Sequence, residues 1–515
     1  MNDQSLFKNC TIHFVLGILI LLFCGLKHAY ANDIEISNTA IAEKNLEAQY
    51  KLIQFDISWQ NSWRDLDNSP FNYDAAWIFM KYRIEGTSDW RHASLDIGGH
   101  SAGTGTPAVI EAGLLHPDQN FHEADNPALG VFLYRSETGS GTFNLEGSSL
   151  KWNYGIDNVG NHQWVDLRIF AIEMVYVSQG PFKAGAVEGG NERRAFTITE
   201  INTPDARITA ADSPFRGGYP HGQVKPESSL WPNGYNAFYV MKYMVTQQQY
   251  VDFLNTLTIN QAANRFSQTQ NTANRYGISS SDGVFTTTYP YLANNQMNWM
   301  DGAAFAHWAG LRPMSELEYE KASRGPLEPV HNEFAWGNSE AVAAGGLQHE
   351  GLAGEIASNN NANAVFGQNS SVSGPVRVGM FAKENTDRVG AGASFYGILD
   401  LSGNLAERTV TIGNEAGRKF TGKHGNGNLN DAGNATVSTW PGYSTGNGVS
   451  GAEGSGYRGG NWFNAIAFMH TADREWASVT VDTRSSRYGF RAVRTAPAMD
   501  GNSQTTIPFE NNLAM

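Results

Sequence analysis

The sequence predicts an all-β sandwich followed by an α+β domain with little regular secondary structure. Three observations lead there. Apolar side chains alternate with period two over successive runs in the first third of the chain, and capping boxes with short helical faces begin after residue 240. The 515 residues include 55 glycines and only 17% charged side chains, which is the composition of a loop-rich chain. That length exceeds what one core usually supports, so two domains are expected, 46–170 and 171–496. A hydrophobic content of 41% is enough to build both.

Residues 1–31 read as a secretory signal. Lys8 supplies the positive start, FVLGILILLF at 14–23 is an apolar core short for a membrane anchor, and AYA at 29–31 is a small-x-small cleavage site. The mature chain is expected to start near Asn32, secreted or in the periplasm. Cys24 offers a lipoprotein alternative, against which stands the bulky Phe23 where such sites carry a small residue. No later segment reads as a membrane span. The two cysteines, Cys10 and Cys24, fall inside this signal. The mature form is therefore expected to lack disulfides, thiolate metal sites and a cysteine nucleophile. A formal charge of -14 argues against nucleic acid and anionic membranes as partners.

Between residues 46 and 176 the pattern is that of strands. Ile53, Phe55, Ile57 and Trp59 alternate with Gln54, Asp56 and Ser58, a half-buried strand. Residues 75–84 are more continuously apolar, like a central strand covered on both faces. A third strand falls at 131–135. Val165, Leu167, Ile169 and Ala171 alternate against Asp166 and Arg168 in a fourth, with Gly and Asn clusters between the runs. His92, His100, His116, His122 and His162 are scattered without ligand spacing and read as surface or strand-edge residues. Trp59, Trp63, Trp77 and Trp90 suit either a sugar-binding face or core packing.

Helical signals follow. Thr246 and Gln249 form a capping box, and Tyr250, Phe253, Leu254 and Leu257 then fall on one helical face. A second helix is expected over 301–309, with Asp301 as N-cap, Gly310 as stop, and Phe305 and Trp308 as core contacts. His307 within it reads as structural. A third starts at Ser315, whose Glu318 completes another capping box, and ends before Gly325. Gly-, Ala- and Asn-rich loops run over 326–387 and 417–456, lengths that inside a compact domain are normally functional or ion-bound. A strand-like 487–494 closes the fold before a polar tail from residue 497 that is expected to be disordered.

The densest chemistry lies in YGILDLSGNLAE at 396–407. Asp400 ends a short apolar run, a Ser-Gly turn follows, and Glu407 returns seven residues later. Two carboxylates and several carbonyls can then converge on one point, as a hard cation such as calcium requires. An Asx-type turn with a solvated Glu407 is the competing account.

Taken in order, EMVYV (173–177), MVTQQQY (244–250), NWMD (298–301), GLRPMSELEY (310–319), WGN (336–338), the 397–407 loop, RGG (458–460) and GFRAVR (489–494) resemble the sulfatase-modifying-factor family, which includes the formylglycine-generating enzyme. The resemblance covers most of 171–496 and implies a C-type-lectin-like α+β fold. The sandwich before it is similar to an accessory domain of some bacterial members. Calcium ligands are implied at the Asp400 and Glu407 side chains and the Gly403 and Leu405 carbonyls. In the formylglycine-generating enzyme two cysteines after the Arg-Gly-Gly motif bind copper; the matching positions here are Asn464 and Met469. An amide and a thioether cannot replace thiolates in that site, so copper and formylglycine generation are not expected. Asn461 stands in place of the motif's serine, and Ala406 in place of the tryptophan of Gly-Asn-x-Trp-Glu. Related non-haem iron enzymes take histidines from a helical accessory domain; here that region is β, and His470, Asp473 and Glu475 read as a polar rim.

The resulting expectation is a secreted or periplasmic module that binds a peptide, protein or glycan in a groove lined by Asn461, Asn464, His470 and Arg474. Two rivals stand beside it. One is an oxidoreductase acting on a peptide or small metabolite with a different metal or none. The other is a carbohydrate-binding protein that uses the lectin-like fold or the Trp-rich sandwich.

Overall fold

The computed structural model describes residues 34–117, 125–206, 208, 228–268, 273–367 and 372–497, all within the unit Ala31–Met515. The signal expected over 1–31, both cysteines, His122 and the tail beyond Pro497 lie outside the described residues.

Nine strands organise the first third: β1 (Glu35–Asn45), β2 (Tyr50–Arg64), β3 (Asp74–Ile84), β4 (Trp90–His92), β5 (Thr104–Gly105), β6 (Ala108–Leu114), β7 (Ala128–Arg135), β8 (Gly139–Trp152) and β9 (Val165–Val177). One sheet has the order β1-β2-β8-β5; in the other, β9, β3, β7 and β6 lie side by side, with β4 on β3. The alternation of β2 does what its sequence requires. Ile53, Phe55, Ile57 and Trp59 are buried while Gln54, Asp56 and Ser58 are half exposed. The buried set meets Ala76, Ile78 and Met80 of β3 and Phe143 and Leu145 of β8 in one apolar cluster. Strand β3 is covered on both faces, as its composition demands, since Ala75, Trp77 and Phe79 pack into a second cluster with the helices. Trp59 and Trp77 are core residues. The Trp90 ring takes the guanidinium groups of Arg83 and Arg168 at 4.9 and 4.6 Å from its centroid.

The expected boundary at residues 170 and 171 falls inside β9. Its apolar second half, buried from Ile172 to Val177, continues the strand, pairing Tyr176 with Tyr239 in Phe238–Met241. That strand pairs with Ala492–Thr495, which pairs with Arg312–Pro313. One eight-stranded sheet therefore runs through both parts of the chain. A buried ionic knot locks the junction. The Asp74 carboxylate accepts from Trp59 Nε1 (3.0 Å), Ser62 Oγ (2.9 Å) and the Trp63 N–H (3.0 Å), and Lys242 Nζ lies 3.5 Å from it and 3.0 Å from Glu173.

Helices are few among the described residues: chiefly α1 (Gln247–Leu254), α2 (Ile259–Arg265), α3 (Trp299–Trp308) and α4 (Glu316–Arg324). None is long and apolar enough to cross a membrane. The capping boxes at Thr246 with Gln249 and at Ser315 with Glu318 form as expected. Helix α3 corrects one expectation, because its N-cap is Asn298 and Asp301 is the third helical residue. The Asp301 N–H donates to Asn298 Oδ1 (2.9 Å) and the Asn298 N–H to Asp301 Oδ2 (3.1 Å). An Asn-x-x-Asp sequence satisfies two orphan donors reciprocally, which an aspartate cap at 301 would not.

A shared sheet predicts shared unfolding. Urea denaturation followed by tryptophan fluorescence and by far-UV circular dichroism is expected to give coincident transitions, and two separate ones would contradict sheet continuity as the source of stability. Asp74→Ala, which leaves three buried donors without their acceptor and Lys242 with Glu173 alone, is expected to lower stability by about 3 kcal/mol.

Candidate functional site

Two strands hold the loops that matter. Ala406–Val410 pairs antiparallel with Ser455–Arg458, Glu407 opposite Arg458, so the loop before Glu407 and the loop after Arg458 leave the sheet side by side. They are stitched by the Gly403 N–H to the Gly459 carbonyl and the Trp462 N–H to the Asn404 carbonyl, both 2.8 Å. Gly459 has φ +85°, and a Cβ there would come within 2.5 Å of the Leu401 carbonyl oxygen, so the close approach requires glycine.

Beneath this crossing lies a buried network of arginines and glutamates. Arg458 donates to Glu316 (3.0 Å), Glu320 (2.7 Å) and the Thr471 carbonyl (2.7 Å). The spacing of Glu316 and Glu320, one turn apart on α4, presents both carboxylates to one guanidinium. Arg474 approaches Glu316 from the other side at 2.7 and 3.0 Å. Burial opposes ionisation of Glu316, but Arg474 and Arg458 outweigh it and hold its carboxyl below the usual range.

The Asp400–Glu407 loop closes on Arg491. Nε and Nη2 of Arg491 donate to the Glu407 carboxylate at 2.8–3.0 Å, Nη1 to the Met241 and Lys242 carbonyls, and Nη2 also to the Leu399 carbonyl. Asp400 accepts from the Gly379 N–H at 2.7 Å and itself adopts φ +61°. Burial pushes both carboxyls up, against the pull of Arg491, and Asp400 raises Glu407 further. Glu407 is thus buried and paired with Arg491 rather than solvated.

The expected groove residues fall into two groups. Asn461 and Asn464 share one turn, in which the Asn464 N–H donates to the Asn461 carbonyl (2.9 Å) and the Phe463 N–H to Asn461 Oδ1 (3.0 Å). His470 follows a short 3-10 turn, Ile466–Met469, with its ring 5.0 Å from that of Phe334. Three buried polar atoms of this loop, Asn461 Nδ2, Asn464 Oδ1 and His470 Nδ1, find no hydrogen-bond partner among the described residues. Arg474 belongs to the second group, because its guanidinium is buried against Glu316. Met469 is packed with Phe334, Trp336 and Ala364. Asp473 is paired with Arg193 and Glu475 with Arg194, both at 2.8 Å. Among the described residues no group of three or more His, Cys, Asp or Glu side chains is placed to hold a metal ion.

Sequence reasoning missed Arg458 and Arg491 as organisers, although both sit in the quoted motifs. An arginine inside an otherwise apolar or glycine-rich motif is a usable signal, since burying it demands acids elsewhere.

A family model described as sulfatase-modifying factor enzyme 1-like domain matches residues 137–496. No curated protein matches the chain. Among solved structures, variable protein 1 of Treponema denticola aligns with a TM-score of 0.34 and 13% identity, over 64% of this chain and 96% of that one, a likeness too loose to bear on the fold.

Burial, with the Arg193 guanidinium adding to it, pushes the His470 imidazole down to about 4. The unfolded ring takes its proton near 6.5, so the stability linked to His470 is complete above that value and is lost as pH falls from there toward 4. NMR titration is expected to show a neutral His470 ring at pH 6 with a midpoint near 4; a midpoint near 6.5 would contradict its buried setting.

Proposed function

The chain belongs to the sulfatase-modifying factor enzyme 1-like family, and on that premise we propose that it is a ligand-binding module of the cell envelope that does not generate formylglycine. The reading takes the chain as secreted or periplasmic after cleavage near Ala31, with a β-sandwich carrying a C-type-lectin-like domain. The observation that carries it is the environment of the 461–470 loop. Where copper chemistry would need two thiolates, Met469 offers a thioether buried among Phe334, Trp336 and Ala364, and Asn464 offers an amide oxygen. Copper in that role is chemically unsupported by these two side chains.

The same loop is suited to recognition. Asn461 Nδ2 is a donor and Asn464 Oδ1 an acceptor, and a peptide unit presents the complementary pair, one C=O and one N–H. His470 is neutral at physiological pH and adds a hydrogen-bonding edge without charge. Arg474 serves by tying the loop to Glu316 rather than by touching ligand. An uncharged peptide segment of a partner protein is the ligand class that these groups favour.

Calcium at Asp400, Glu407 and the Gly403 and Leu405 carbonyls belongs to the same proposal. What favours it is two buried carboxyls pushed up despite Arg491, a pair still short of positive charge. Bound there, calcium would neutralise the pair and brace the loop that carries Asn404 against Trp462.

Two experiments test this reading. Purified protein incubated with copper and a cysteine-containing sulfatase peptide is expected to yield no aldehyde and to retain no stoichiometric copper; aldehyde formation would overturn the proposal. In calcium the melting temperature is expected to rise by a few degrees over that in chelator, and Asp400→Ala is expected to remove this difference. An equal loss in both media would mean that the loop holds no ion.

A further inference from the structure

Away from the 461–470 loop, a small cavity of mixed polar and apolar lining opens where β3 and β4 meet the loop around residue 427. We propose that it binds a single neutral sugar ring. The cavity measures about 230 Å³, roughly the share of eight liquid waters and below the range of drug-sized sites. It has room for one ring.

Its walls come from segments far apart in sequence, among them Tyr82, Arg91, Asp157, Asn426 and Asn428. Each has a hydrogen-bond partner. The Asp157 carboxylate is held by the Ser94 N–H (3.0 Å) and Trp152 Nε1 (2.6 Å), and Arg91 is tied through Nε to Asp89 (2.9 Å). Asn428 uses its Oδ1 on the His92 N–H (2.9 Å) and Asn426 uses its Oδ1 on the Asn428 N–H (3.0 Å), so what each can offer the cavity is its Nδ2. A carboxylate acceptor thus lines the same cavity as carboxamide and guanidinium donors, all on planar groups. Vicinal hydroxyls, which donate and accept at a fixed spacing, complement planar carboxylate, carboxamide and guanidinium groups in pairs. Leu129 and the ring of Tyr82 add an apolar wall for the C–H face of a pyranose.

Charge selects among polar ligands. Arg91 opposes a simple cation, while Asp157 and Asp125, also in the wall, oppose uronic acids and phosphosugars. A neutral polyol meets neither penalty. The ring could come from a free monosaccharide or from the end of a glycan.

Saturation-transfer NMR on the intact chain, with neutral hexoses, pentoses and N-acetylhexosamines, their methyl glycosides, and glucuronate and glucose 6-phosphate as charged controls, tests this directly. At least one neutral sugar is expected to bind, and the charged controls are not. Asn426→Leu, at the rim, and Asp157→Asn, which keeps shape, are each expected to weaken binding at least tenfold, with melting temperature checked for both. Trp164→Ala, at an exposed tryptophan elsewhere, is expected to leave binding unchanged. Retention with the methyl glycoside identifies a glycan end, and loss identifies a free reducing sugar. Silence from every neutral sugar, preference for a charged control, undiminished binding by Asn426→Leu, or loss in Trp164→Ala would overturn the proposal.

Discussion

The buried guanidinium of Arg491 is the constraint on which the family-matched part of the chain depends. It carries five N–H donors, and all of them are taken up by the Glu407 carboxylate and by the carbonyls of Met241, Lys242 and Leu399. Those acceptors lie on a strand end, the residue that follows it, and the Asp400 loop. One side chain therefore ties the eight-stranded sheet to the loop that positions everything beyond it. Isolating a charge at such depth is expensive, and a partner removed leaves the other uncompensated. The arrangement fits a region with few helices and short strands. Where backbone ladders are scarce, carbonyls still need donors, and arginine supplies several at once.

The same device recurs one layer further out. Arg458 and Arg474 converge on Glu316, and Arg458 also reaches Glu320 and the Thr471 carbonyl. These bonds fix the start and end of the 459–474 loop, within which buried polar atoms of Asn461, Asn464 and His470 have no hydrogen-bond partner among the described residues. The ionic frame does not depend on thiols, which is physically why a chain without them at these positions can keep the scaffold.

What the sequence made legible was local. The alternation of Ile53, Phe55, Ile57 and Trp59 gave a strand with the right face buried, and the Thr246 and Ser315 boxes marked two helix starts, because both signals act within a few residues. Asn298 escaped notice for the same local reason. Asp301 is also a cap-forming residue, and the two differ only in which holds helical backbone angles. The continuity of β9 was not legible, since alternation reports a strand's faces and says nothing of its partners. Arg491 and Glu407 are 84 residues apart, and the cavity joins Tyr82, Asp157 and Asn426 across the whole fold. Composition cannot register pairings at that range. The spacing of Asp400 and Glu407 singled out two acids that the fold buries, but gave no sign of the guanidinium between the sheet and the loop.

A double-mutant cycle on Arg491→Met and Glu407→Gln, read by urea denaturation, tests the central role of this ion pair most directly. The account predicts that the two substitutions together cost at least about 2 kcal/mol less than the sum of their separate effects. Additivity within about 0.5 kcal/mol would contradict it.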